Sequence, residues 1–125
     1  MYKRQLAENL TNPFRDWDGR ENISPANAKK AATLYKKARI SLREIDSASH
    51  AASVSATAEE MVRSWADAFN VMDRRSSSIE TIEREEIADV IYGLLSEMEQ
   101  QLGQGTPQPF DKAAMMDLFD RLRDF

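Results

Sequence analysis

The stretch from Thr57 to Met72 constrains this chain most. Ala58, Met61, Val62, Trp65, Ala68, Phe69 and Met72 recur at steps of three and four, which gathers them on one face of an α-helix and excludes a strand. Thr57 and Glu60 stand at the S/T-x-x-E spacing of a capping box, so the helix is expected to begin at Thr57. With a Trp, a Phe and two Met on one side, this face is the expected centre of the core.

The remaining periodic segments are also helical. Ser24-Pro25 reads as a capping residue followed by proline at the first helical position, where the missing N–H costs nothing. Ala28, Ala31, Tyr35, Ala38, Leu42 and Ile45 then form an apolar seam. The small-residue tract 47–56 either extends a helix or serves as a hinge, and the lone His50 within it has no carboxylate or second imidazole nearby in sequence. Ser77 and Glu80 offer a second capping box, after which Ile87, Ile91, Leu94, Leu95, Met98 and Leu102 run down one face until Gly103. Residues 103–109 read as a linker, and Asp111 caps a last helix whose flanking Phe110 staples onto Met115. Leu118, Phe119, Leu122 and Phe125 continue its apolar side. Four helices, short connections and no strand signal predict an all-α bundle.

Residues 1–23 are the irregular part of this single 1–125 domain. Tyr2, Leu6 and Leu10 share one side if the start is helical, whereas Asn12-Pro13-Phe14 and Asp18-Gly19 read as turns. Asp16-Trp17-Asp18-Gly19 lacks the ligand spacing of a calcium loop.

Composition narrows the chemistry. At 125 residues a compact fold buries roughly two-thirds of its unfolded surface. The absence of cysteine excludes disulfides, thiolate metal sites and cysteine nucleophiles, and one histidine leaves no imidazole pair for a metal. No apolar run approaches the ~20 residues that span a bilayer, and Met1 to Gln5 lead into no secretory stretch. The expected setting is cytoplasmic, without membrane contact.

Charge is divided along the chain. Residues 1–43 carry ten Lys/Arg against four Asp/Glu, and residues 44–125 carry seven against seventeen. At ~100° per residue, Lys29, Lys36, Arg39 and Arg43 fall together on one side of their helix. Such a stripe is a solvated face, a partner for the acidic later helices, or a contact for phosphates or an acidic protein surface. Pairing with the acidic helices is the expectation.

One constellation points to catalysis. Glu85-Glu86-Ile87-Ala88-Asp89-Val90-Ile91-Tyr92 resembles the second motif, E-x-x-D, of the all-α nucleoside triphosphate pyrophosphohydrolases, the MazG-like family. Glu59-Glu60-Met61-Val62-Arg63 stands where the first motif, E-E-x-x-E, belongs, with Arg63 in place of its third carboxylate. The resemblance implies that Glu59, Glu60, Glu86 and Asp89 hold Mg²⁺, which binds a triphosphate and activates water to release pyrophosphate. Hard oxygen ligands suit that ion. A guanidinium at Arg63 repels it, and Glu59 with Arg63 also forms the favoured i,i+4 ion pair. Residues 56–69 look as well like the opening helix of small phage helicase-loader proteins, with Thr57 and Trp65 similarly placed. Those proteins end in Phe-Pro-Pro-Thr, where this chain has Pro107-Gln108-Pro109-Phe110, and no function is taken from them.

The expectation is a small helical interaction protein, a regulator, inhibitor or assembly subunit, that docks onto a protein partner or self-associates, with no cofactor and no catalysis of its own. Leu118, Phe119, Leu122 and Phe125 are its expected docking face, and the basic stripe a second contact. The alternatives are the Mg²⁺-dependent pyrophosphohydrolase and a nucleic-acid-binding subunit that uses the basic helix.

Overall fold

The computed structural model describes residues 12–43, 51–101 and 110–125, without the side chains of Arg43, residues 51–53 and Gln101. Expectations for Tyr2, Leu6, Leu10, Ile45, His50, Leu102, Gly103 and the linker therefore lie outside the described residues, as does the side chain of Arg43. A single 3-10 turn at Arg15–Trp17 precedes four helices: α1 (Pro25–Arg43), α2 (Ala51–Ser76), α3 (Thr81–Gln101) and α4 (Lys112–Leu122). Among the described residues there is no strand, and the expected all-α bundle is what forms.

The helix ends show why the elements lie where they do. Ser24 caps α1, its Oγ accepting the Asn27 N–H at 3.1 Å. Asp111 caps α4 as expected, accepting the Ala113 N–H at 3.0 Å. The other two starts differ from expectation. α2 is already helical at Ala51, which puts Thr57 inside the helix with no capping role. The described part of the Ala/Ser tract, residues 51–56, is helical because Val54 and Ala58 already pack into the core. Ser77 does not cap α3 either. It ends α2 in the left-handed region at φ 49°, its N–H donating to the Asp73 carbonyl at 2.7 Å. At the start of α3 the Glu83 carboxylate reaches back to the Glu80 N–H at 3.1 Å, the reciprocal half of a capping box three residues later than expected.

α2 is the central helix, packed by α1, α3 and α4. That is why its burial exceeds one stripe: Ala66 is fully buried alongside Met61, Val62, Trp65, Phe69 and Met72, whereas the expected core residue Ala68 is half-buried. From α3, Ile87, Ile91, Leu94, Leu95 and Met98 complete the core. The N-terminal turn adds what its sequence pattern did not suggest. Phe14 and Trp17 are buried, their rings 4.8 Å apart, and Phe14 stands 5.9 Å from Trp65 and 5.8 Å from Phe69. Asn12 starts the turn by accepting the Phe14 N–H at 2.9 Å, and Gly19 supplies its exit at φ 96°, a conformation that favours glycine. Aromatic contacts continue from Phe69 to Phe125 and on to Phe119.

Candidate docking surface

The last helix is not the free face that its sequence suggests. Phe119 is fully buried, and Leu118, Leu122 and Phe125 pack half-buried against the same core. The reason is the aromatic cluster together with Asn70 of α2, whose Nδ2 donates to the Leu122 carbonyl at 2.8 Å and whose Oδ1 accepts the Asp124 N–H at 2.6 Å. Both ends of the Asn70 amide are spent on fixing the end of α4. The side of α4 expected to dock outward is turned into the bundle.

The four carboxylates of the pyrophosphohydrolase reading do not converge. Glu59 pairs with Arg63 at 3.0 Å on the exposed side of α2, and Glu60 accepts from the Ser64 hydroxyl at 3.1 Å. Glu86 is held by Arg20, whose Nη1 reaches it at 2.6 Å and whose Nη2 reaches it at 3.2 Å, while Asp89 is exposed. Among the described residues no three Asp, Glu or His are grouped as metal ligands.

Arg20 serves a different purpose. Its Nη1 also reaches the nearly buried Glu83 at 2.6 Å, and Asn22 donates to the other Glu83 oxygen at 2.7 Å. The hydrogen bond to Glu86 raises the Arg20 pKa above its ordinary value, against the effect of burial and with help from Glu83. This cluster fastens the N-terminal turn to α3. One sign of it is in the sequence: Glu83 is in phase with Ile87, Ile91 and Leu94, so a carboxylate stands on an apolar stripe and requires a partner.

The basic stripe divides. Arg39 pairs with Glu97 of α3 at 2.9 Å and donates to the Tyr35 hydroxyl at 3.2 Å. Burial lowers its pKa, and the bonds to Tyr35 and Glu97 more than offset this, leaving it raised. Lys29 and Lys36 are exposed and, among the described residues, have no ion-pair partner. Among the described side chains of the stripe, the expected pairing with the acidic helices therefore holds at Arg39 and not at Lys29 or Lys36. α1 carries six basic residues and no acidic one, so the unpaired lysines have nothing on their own helix to neutralise them.

Beside these lysines lies a groove of about 460 Å³ between α1 and α2. Leu34, Ala38, Met61 and Trp65 give it an apolar lining, Lys37 stands on the α1 rim and Glu60 on the α2 rim. Small residues create it: Ala38 and Ala56 line it where longer side chains would close the gap. The Trp65 indole N–H is satisfied by the Ile87 carbonyl at 3.2 Å, so the ring contributes apolar surface and no unmet donor. Neither Leu34 nor Ala56 belongs to the apolar stripes of its helix, so periodicity gave no sign of the groove. Among the described residues no helix is long and apolar enough to cross a membrane. No family model, curated protein or solved structure matches this chain.

Proposed function

We propose that this bundle works by docking a protein partner, without catalysis of its own, and that the partner lays the apolar side of an amphipathic helix into the α1–α2 groove. The observation that supports this reading is the groove itself. Its lining is apolar, it is open along two helices, and opposite charges at Lys37 and Glu60 flank it. Helix-in-groove recognition needs these features: apolar area for affinity, and rim charges that fix orientation. An acidic residue on the α1 side of the partner helix and a basic one on the α2 side match the two rims.

The test is co-purification from the native host with wild type, Ser41→Arg and Ser64→Arg. Both serines line the groove without being buried, so arginine fills the space while the helical signal is kept. A partner held by wild type and released by both variants supports the reading. A partner retained equally by all three, or none at all, contradicts it.

A further inference from the structure

The lysines of α1 form two rows with nothing on their own helix to neutralise them. Lys29 and Lys36 make one row, Lys30 and Lys37 the other. At about 100° per residue, the members of each row return to within about 20° of the same side, about 10 Å apart along the axis, and the rows stand roughly 100° apart around it. All four lysines are exposed, none has an ion-pair partner among the described residues, and α1 carries no acidic residue. Glu97, paired with Arg39, marks the side of α3 that is turned to α1. Glu85 and Asp89 stand roughly 80° or more around α3 from it, directed away from the lysines.

The two rows frame a corner of the bundle. Leu34 and Ser41 of α1 face α2 across the groove, and Arg39 faces α3. The core residues Ala31, Ala38 and Leu42 lie on the inner arc between these flanks, and the outer arc holds both rows of lysines. Thr33 and Ile40 lie on the midline between the rows. Ile40 is 56% exposed, and Thr33 is exposed with its hydroxyl donating back to the Lys29 carbonyl at 3.0 Å.

We propose that α1 binds double-stranded DNA by lying in the major groove, each row of lysines meeting the phosphates of one strand. A helix with its side chains is about 10–12 Å across, and the major groove is about 12 Å wide, so rows at the two edges of the outer face meet the two walls. Lysine ammonium groups act on phosphates as point charges. The midline between them offers no free hydrogen-bond donor to base edges, since Ile40 has none and Thr33 has spent its own, so binding is independent of sequence. The same features disfavour other partners. A protein interface is built on apolar and aromatic anchors and is poor in lysine, whereas this face has one large apolar side chain, Ile40. Single strands need exposed aromatic platforms, and Tyr35 is half-buried and engaged by Arg39. Duplex RNA has a major groove too narrow for a helix to enter. Neither Met61 nor Trp65 takes part, so DNA binding is separate from docking in the α1–α2 groove, with Lys37 alone bordering both.

The test is fluorescence anisotropy with labelled DNA duplexes of two unrelated sequences, titrated with protein between about 50 and 200 mM salt. Wild type is expected to bind both alike, with log K falling against log salt at a slope of about −3.6, or about 0.9 for each of four phosphates. Lys29→Ala/Lys36→Ala and Lys30→Ala/Lys37→Ala are each expected to bind roughly tenfold more weakly and to halve that slope, while alanine keeps the helix and its circular dichroism. Arg63→Ala/Arg121→Ala, which removes the same charge from exposed sites on α2 and α4, is expected to bind as wild type does. A wild type that binds neither duplex at the lowest salt overturns the proposal. So does a slope that only one row affects, or an equal loss in the Arg63/Arg121 variant. Equally tight binding of single-stranded DNA or duplex RNA would also overturn it, and equally tight, equally salt-sensitive binding of poly-glutamate would assign the lysines to acidic protein instead.

Discussion

The Asn70 carboxamide on α2 donates to the Leu122 carbonyl at the end of α4, 2.8 Å away. Through that bond, and the one from the Asp124 N–H back to Asn70, the last helix becomes part of the core. Surfaces for a partner must then be sought on α1, α2 and α3.

Phe119→Ser and Trp65→Ala should therefore be similarly damaging, each costing about 3–5 kcal/mol in urea unfolding followed by circular dichroism. Asn70→Ala should cost about 1–3 kcal/mol, because the part-buried Leu122 carbonyl loses its donor and the Asp124 N–H its acceptor. A Phe119→Ser protein with a wild-type midpoint would show that α4 is dispensable to the core.

Arg20→Gln should destabilise by about 2–3 kcal/mol, since it leaves the Glu83 carboxylate nearly buried with only Asn22 and the Glu80 N–H as donors. Replacing both partners, as in Arg20→Met/Glu83→Met, should cost less than the single change, because no unpaired charge is left in the interior. Denaturant midpoints decide this, and a neutral Arg20→Gln would mean that the cluster does not fasten the N-terminal turn.

Ser77→Gly should stabilise by about 1 kcal/mol, because Ser77 holds a left-handed conformation that costs L-residues roughly 1–2 kcal/mol. Ser77→Val should destabilise. Both are read from thermal unfolding, and an unchanged or lowered midpoint for the glycine variant contradicts the assigned turn.

Lys112 gives a pH prediction. Its ammonium lies 2.9 Å from Glu99 and 4.6 Å from the centre of the Tyr92 ring, and these contacts, Glu99 first, raise its pKa above that of an ordinary lysine. A raised folded value means the cation is favoured in the native state. The contribution is then complete below the unfolded value, near pH 10, and is lost as pH rises through the higher folded one. The stability difference between wild type and Lys112→Gln should be constant from neutral pH to about pH 9 and shrink above it. A difference that grows in alkali would reverse the assignment.

How much of this was legible in the sequence differs by element. The apolar stripes of α2 and α3, the Ser24 and Asp111 caps and the all-α class follow from helical spacing and local capping chemistry, both properties of residues close in sequence. The Thr57/Glu60 pattern is a valid local start signal that the fold does not use, because burial of Val54 and Ala58 carries the helix through it. Phe14 and Trp17 lie in a segment without periodicity, and their burial depends on contacts with Trp65 and Phe69 some fifty residues away. The α4 stripe is apolar as its spacing implies, but it faces the core, since an amphipathic face has the same pattern whether a partner or its own bundle covers it. The groove is a product of packing between α1 and α2, whereas the charge division between the two parts of the chain is reflected only in the Arg39–Glu97 pair among the described residues.

The most direct test of the docking account is an NMR titration of isotopically labelled protein with the partner that wild type captures. Shift changes are expected to concentrate on residues 34–41 and 56–65, the two walls of the groove, and to be absent in Ser64→Arg. Changes centred on the α4 face around Phe119, or none along the groove when the partner is bound, would contradict it.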